Sequence, residues 1–258
     1  MSEIQRPGAL YQQVAAAIRD AITSGEFPPG APLPSEAQLI DRYKVSRPTV
    51  RNAIAALRAE GLIDVRHGKG SYVRAAGKPV LTVQRSIQRG AGGTFTTADG
   101  TKWQQAEAPG VHRVETTVTT GAALQLAEGE ALFGVDRLLS DPATGTRALH
   151  RTLIPFATAE DTPLTEAPDT EPAEVYGLLE KAGHTLTWTE TVRARMPLPD
   201  ERTALGIPDA TPLLVATRTT HDADGHPLAL EELCVSAEHA QLAYRITADK
   251  AAGKRTRS

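Results

Sequence analysis

The stretch VSRPTVRNAIAALRAEGL, residues 45–62, constrains this chain most. At about 100° per residue, Val50, Ala53, Ile54 and Leu57 fall on one arc of a helix. Arg47, Arg51 and Arg58 fall on a narrow stripe beside that arc, with Thr49 and Asn52 on the remaining surface. Ser46 is placed to cap the first turn, Pro48 is tolerated within it, and Gly61 suits the residue just past the last turn. One face of such a helix must be covered by apolar neighbours, and the next face attracts anions. A solvated surface helix meets that description, and so does a helix that lies in a groove of DNA. The flanking sequence decides between them.

Upstream, LYQQVAAAIRDAITSGEF reads as a helix whose apolar stripe is Val14, Ile18, Ala21 and Ile22, stopped by Gly25. FPPGAPLP, residues 27–34, is a stiff extended connector. Ser35 then caps a second helix, with Gln38 completing a capping box and Ala37, Leu39, Ile40 and Tyr43 as its inward residues. Lys44 and Val45 make a tight corner into the third helix. Downstream, Ile63 and Val65 lead to a basic tip, Arg66-His67-Gly68-Lys69-Gly70, and Tyr72 and Val73 return. That is a hairpin. Helix, helix, short turn, helix and basic hairpin make a winged helix-turn-helix.

Charge agrees. Residues 1–78 hold 11 Lys/Arg against 7 Asp/Glu, and residues 79–258 hold 17 against 24, so the net −3 conceals a basic front and an acidic rear. Within 42–74 the ratio is 8 to 2, which points the front at a polyanion. With aromatics at 4%, the core must be built from Leu, Val, Ile and Ala. The one cysteine, Cys234, permits no intrachain disulfide and reads as a small core residue. No apolar run reaches the roughly 18 residues that span a bilayer, and the first residues lack a signal-peptide pattern. The expectation is a cytoplasmic protein with no membrane partner.

LPSEAQLIDRYKVSRPTVRNAIAALRAEGLIDVRHGKGSYV resembles the DNA-binding domain of GntR-family bacterial transcriptional regulators. The likeness covers about residues 10–74, with His67 departing from the commoner glutamine. It implies that Arg47 and Arg51 enter the major groove, where a guanidinium bridges guanine O6 and N7. It implies that Thr49 touches a base or phosphate, and that Ser35 and Ser46 offer hydroxyls and helix N-termini to phosphates. Arg42, Lys44 and Arg58 are further phosphate candidates, and Gly68, Lys69 and Gly70 bring the wing close to the minor groove.

Beyond Ala75–Pro79, strands are predicted over 111–120, 131–141, 147–156 and 186–198, with helices over 173–183 and 199–207. Val175, Leu178 and Leu179 are the inward residues of the first of these helices. Residues 212–222 and 226–237 form a hairpin around Ala223-Asp224-Gly225. An internal echo runs at an offset of 81, pairing Leu124 with Leu205, Leu126 with Ile207, Leu132 with Leu213, Arg137 with Arg218 and Asp141 with Asp222. Each copy turns at a glycine, Gly145 or Gly225, after which Arg151 falls opposite Glu231. Two helix-hairpin units imply a pseudo-symmetric α+β domain on one antiparallel sheet. This order is similar to the UTRA effector-sensing domain, which has a chorismate-lyase-like fold and marks the HutC branch of the family. The resulting boundaries are 8–75 for the winged domain, 76–82 for a linker, 83–246 for the effector-binding and dimerisation domain, and 247–258 for a basic disordered tail.

The resemblance implies a small effector, often an anion, held between the two units. Arg137 and Glu231 match positions that face the ligand in relatives, and Thr94, Phe95 and Thr96 match a serine-phenylalanine segment. Arg151 and Tyr176 are further candidates, and the glycines of 86–104 would cradle an anion. Leu139 stands where many relatives carry a second arginine, which weakens phosphate recognition. Alternatively, Arg137, Arg218 and Glu231 form structural ion pairs. The function implied is a ligand-responsive repressor, binding double-stranded DNA at a palindromic operator as a homodimer. An effectorless regulator is the alternative, and a lyase-like enzyme a lesser one. The seven histidines show no metal-ligand spacing and no nucleophile–base pair stands out, so neither a metal, a cofactor nor an enzyme is expected.

Overall fold

The computed structural model describes residues 9–66, 70–74, 80–97, 102–208 and 210–246. The chain falls into two compact units. One gathers the described residues up to Arg74 with Arg193–Val215 and Val235–His239. The other holds Val80–Val192, Ala216–Cys234 and the described residues from Ala240.

In the first unit, α1 (Leu10–Thr23), α2 (Glu36–Tyr43) and α3 (Arg47–Ala59) precede a hairpin of β1 (Ile63–Arg66) and β2 (Gly70–Val73). Ile18, Leu39, Val50, Leu57 and Ile63 are fully buried in one cluster. Burying each such side chain stabilises by about 1.5–3 kcal/mol before entropy is counted. Ile22, Ile40, Tyr43 and Ile54 pack on its rim. Ala15 joins the predicted stripe of α1. Ala37 does not turn inward: it shares the outer face of α2 with Asp41 one turn on, and both are exposed.

The caps are where the sequence places them. Ser35 accepts from the Gln38 amide at 3.3 Å while the Gln38 side chain takes the Ser35 amide at 2.8 Å. Ser46 accepts from the Thr49 amide at 3.4 Å. A cap of this kind is worth about 1 kcal/mol. The corner between α2 and α3 turns at Lys44, held in the left-handed region at φ 53°. The proline-rich connector does more than span a gap. The Leu33 amide donates to Ser71 O at 2.8 Å and the Val73 amide to Ala31 O at 2.9 Å, so it is tied to β2 by an isolated antiparallel bridge at Pro32 and Tyr72. The wing tip, His67 to Lys69, the linker 75–79 and the tail 247–258 lie outside the described residues.

The second unit opens with β3 (Leu81–Gln84), so Leu81 and Thr82, expected in the linker, already belong to a strand. There follow β4 (Ile87–Arg89), β5 (Phe95–Thr97), β6 (Gln104–Gln105), β7 (Gly110–Glu115), α4 (Val118–Leu124), β8 (Ala131–Ser140), β9 (Arg147–Pro155), α5 (Phe156–Ala159) and α6 (Pro172–Lys181). The chain continues with β10 (Thr187–Arg195), α7 (Pro199–Leu205), β11 (Leu213–His221), β12 (Pro227–Ser236) and β13 (Ala240–Ala243). The main sheet has the order β10-β11-β12-β9-β8-β6, with β7 also on β8. β13 pairs with β3, and β4 with β5. The strand predicted over 111–120 stops at Glu115, and a helix not predicted there, α4, follows over Val118–Leu124. The threonine run alternates like a strand, but Thr117 accepts from the Thr120 amide at 3.3 Å and caps α4 instead.

The two copies of the echo share more than sequence. Leu124 and Leu205 are buried at helix ends that each close on a left-handed residue, Gln125 or Gly206. Leu132 and Leu213 are fully buried. Asp141 accepts the Thr144 amide at 2.8 Å, and Asp222 accepts the Asp224 and His226 amides at 3.0 and 2.8 Å. Gly145 and Gly225 take φ values of 70° and 85° in those turns. Val175 and Leu179 of α6 are buried against Ile154 and Ala229, with Leu178 at the margin, and Cys234 is a buried core residue.

Candidate functional site

Two surfaces carry chemistry. On α3, Arg47, Arg51 and Arg58 are exposed along one side, opposite buried Val50, Ala53 and Leu57. Arg51 Nε stands 3.9 Å from Glu36, a contact between two exposed side chains and worth little. Arg51 and Arg58 also border a cleft of about 600 Å³ with Val65, Met196 and Ala210. The Thr49 hydroxyl bonds to that of Ser46 at 2.8 Å. Arg42 is drawn back: it pairs with Glu26 at 2.7 Å and lies over the rings of Phe27 and Tyr43. Lys44 reaches Asp41 at 3.4 Å. Gly70 opens β2 at φ 94°. Ser35, Ser46, Arg47, Thr49 and Arg51 therefore cluster at the N-terminal ends of α2 and α3, where the helix dipoles also favour anions.

The second surface is a cavity of about 420 Å³ on the face of the sheet that α6 covers. Strand alternation selects its lining. Arg137 and Leu139 of β8, His150 of β9, Arg218 of β11, and Glu231 and Leu233 of β12 all point into it. Arg85, Thr97, Lys102, Trp103, Gln105, Glu171 and Pro172 complete the wall.

Its charged groups form two webs. Glu190 accepts from Arg85 Nε at 3.0 Å and Nη2 at 2.8 Å, from Arg218 Nε at 2.6 Å, and from the Tyr244 hydroxyl at 2.8 Å. Burial pushes the Glu190 carboxyl up, but Arg85 and Arg218 outweigh it and hold it below the usual range. Tyr244 is pushed up to about 12 by burial and by Glu190. Glu231 is buried, accepts from the Tyr176 hydroxyl, and lies 3.4 Å from His150 Nε2. Burial again works against its charge, and His150 and Arg218 win, so it too is lowered. Burial first, then Glu231, raises Tyr176 well above an ordinary phenol, which keeps it a donor. Arg137 is different. Its Nη1 bonds Thr152 at 3.2 Å and its Nη2 bonds the carbonyls of Asp169 and Thr170 at 2.8 and 2.9 Å, all neutral acceptors. Desolvation lowers its pKa.

Of the predicted effector residues, Arg137 and Glu231 line this cavity and Tyr176 stands behind it, locked to Glu231. Arg151 does not. It is one residue out of phase, on the opposite face, and forms a two-point pair with Asp136 at 2.5 and 2.9 Å. Its place opposite Glu231 belongs to His150. Thr94 and Thr96 are exposed and are not in the lining of this cavity, and Phe95 between them turns inward, edge-on to Tyr176 and Trp188 with centroids 5.8 Å away. Of the glycines read as an anion cradle, Gly93 packs on α6, where an added Cβ would come within 2.9 Å of Glu180, and Gly90 faces Thr94. The alternative of structural ion pairs holds for Arg218, which pairs with Glu190. Arg85, Lys102, Trp103 and His150 were not foreseen. Only His150 had a local signal, its alternation with Thr152 and Ile154 on the inner face of β9.

A winged helix-turn-helix followed by a sheet domain with a polar cavity is the architecture of a DNA-binding transcriptional regulator. Comparison with known proteins names the family. Residues 10–73 match the model described as bacterial regulatory proteins, gntR family, and residues 111–241 match the UTRA domain. The chain belongs to the GntR family, in its form that carries a UTRA domain. An uncharacterised HTH-type transcriptional regulator of Streptomyces coelicolor is 26% identical over 230 residues, covering 83% of this chain and 84% of the relative. The Exu regulon transcriptional regulator of Escherichia coli K12 is 44% identical over 71 residues, covering 28% of each chain, so that match spans little more than a quarter of the relative. A crystal structure assigned to a GntR-family regulator aligns with a TM-score of 0.66 at 28% identity, covering 94% of this chain and 99% of the other. PhnF from Mycobacterium smegmatis has the same fold, with a TM-score of 0.51 at 19% identity over 92% and 100% of the two chains.

Proposed function

We propose that this protein is a ligand-responsive repressor of the HutC branch, which binds a palindromic operator as a homodimer in the cytoplasm and is released by a small anionic effector. The winged domain spans 8–75, and the effector-binding and dimerisation domain spans 83–246. Arg47 and Arg51 read bases, while Ser35, Ser46, Thr49, Lys44, Arg58 and the wing residues Gly68, Lys69 and Gly70 hold the backbone. Arg42, turned toward Glu26, is the least available of the set. A two-fold dimer presents two α3 helices to half-sites about one helical turn apart.

The observation that carries the sensor half of this reading is Arg137, a guanidinium with side-chain exposure of 2% that lines a cavity and hydrogen-bonds no carboxylate. Effector binding shifts the balance between two conformations by its difference in affinity for them, commonly about 1–3 kcal/mol. The engagement of Arg85 and Arg218 by Glu190 favours a second reading, a regulator without effector, in which the cavity charges are satisfied internally. Footprinting on the promoter beside the protein's own gene, followed by fractionated cell extract added to the protein–DNA complex, separates them. A protected palindrome released by one fraction supports the sensor. A protected palindrome that no fraction releases supports the second reading. An unprotected promoter with no palindrome selected from random DNA refutes both.

A further inference from the structure

Resting on the reading that this cavity is the effector site, we infer that its ligand carries one negative charge, a carboxylate, on an apolar body, and is not a phosphate ester. The charges around the cavity decide this. Three guanidiniums are enclosed there: Arg85, Arg137 and Arg218, with side-chain exposures of 8, 2 and 4%. Two carboxylates are enclosed with them, Glu190 at 11% and Glu231 at 5%. Glu190 takes both Arg85 and Arg218. Glu231 is held by Tyr176 and His150, and His150 adds a charge only when protonated. With His150 neutral, one positive charge is left over, and it sits on Arg137.

Arg137 is built to receive a partner. Three of its N–H groups are tied to neutral oxygens, which fixes the plane of the guanidinium. Its Nε is sealed from solvent and has no hydrogen-bond acceptor. The nearest carboxylate there, Glu171, is 4.0 Å away on a side chain that is 56% exposed. At the rim, exposed Lys102 and Glu171 offset each other in solvent, where their charges are screened. A monoanion brings the enclosed charges to balance. A dianionic phosphate would leave a second negative charge in a cavity already holding Glu231. Leu139 lies two residues from Arg137 on the same face, so the position that would meet a second charge is apolar. Trp103, Pro172, Leu139 and Leu233 give the rest of the ligand an apolar wall.

The test is calorimetric titration of the full chain near pH 7.5 with three compounds of matched body: phenylacetate, phenylacetamide and phenyl phosphate, then the same three head groups on an eight-carbon chain. Saturable binding of a carboxylate, at least about ten-fold weaker for its amide and its phosphate ester, is expected. Arg137→Gln should lose that binding while circular dichroism stays native. If that variant does not fold, Leu139→Arg serves instead: a second cation should turn the preference toward phenyl phosphate. Equal or tighter binding of the phosphate ester to the unaltered protein overturns the inference, as does binding indifferent to head group or no binding by either series. Release of the operator by extract fractions is read independently, so a sensor with another ligand class is told apart from no sensor.

Discussion

Arginine serves two opposite purposes in this chain. On α3, Arg47 and Arg51 stand in solvent, and the helix beneath is stabilised by Val50, Ala53 and Leu57 instead. In the sheet, Arg85, Arg137 and Arg218 are enclosed, and the surrounding structure is organised around their hydrogen bonds. The first kind is available to an external polyanion without cost to the fold. The second kind is part of the fold, and a ligand that reaches it also reaches the strands that carry it. The difference is between a surface open to a polyanion and an interior tied into the fold.

The comparison is easiest to break at Arg218. Arg218→Met strips a guanidinium from Glu190 and weakens the surroundings of Glu231, and should cost about 3–5 kcal/mol in urea denaturation. Arg137→Met loses hydrogen bonds only to neutral groups and should cost less, about 1–3 kcal/mol. An equal cost for the two would erase the distinction between an interior arginine hydrogen-bonded to a carboxylate and one hydrogen-bonded only to neutral oxygens. Arg47→Ala and Arg51→Ala should each weaken operator binding by about 1–3 kcal/mol and relax one base preference in a selection assay. Their unfolding free energies should stay within about 0.5 kcal/mol of the parent. A large loss of stability would place these residues in the fold rather than on a reading surface.

Acid sharpens the contrast further. Glu190 and Glu231 have folded pKa values lowered below their unfolded ones. Their contribution is therefore complete above the ordinary carboxylate range and disappears as pH falls through the lowered values, because the unfolded state binds protons first. Denaturation curves from pH 7 to pH 3 should be flat at the neutral end and fall below about pH 4.5. The smallest effect belongs to the turns: Asp141→Ala and Asp222→Ala should cost about 0.5–1.5 kcal/mol each, with melting temperature as the readout. Asp141 is buried and takes both the Thr144 amide and hydroxyl, so its loss should be the larger.

How much could be read in advance follows the range of the interactions. The winged domain is specified by contacts a few residues long, namely Ser35 with Gln38, Ser46 with Thr49, the α3 arc and Gly61, and nearly all of it was legible. The strands and the turn positions of the echo were legible for the same reason. The choice of face was not secure, because one residue of phase reverses it. Arg151 was placed at Glu231 by that slip, and His150 missed. The Arg85–Glu190 pair joins residues 105 apart in sequence, and nothing near either one announces the other. Phe95 is expected as a ligand contact only because Thr94-Phe95-Thr96 matches a serine-phenylalanine segment of relatives. It went to the aromatic cluster with Tyr176 and Trp188, whose partners lie far along the chain.

The strand order is nearly palindromic: β11 and β12 carry the second copy of the echo, β9 and β8 the first, with β10 flanking β11 on one side and β6 and β7 flanking β8 on the other. The copies meet along β9 and β12, so each protects the other's inner edge. A fragment cut between them would bare a strand rich in Leu, Ile and Val with unsatisfied amides and carbonyls. Such a half has two ways to hide that edge, by closing onto an identical half or by joining a growing aggregate. The first makes a pair of identical halves with the same β9–β12 type of seam that the single chain closes within itself. The second is what the single chain avoids, since covalent linkage keeps the protecting strand always at hand.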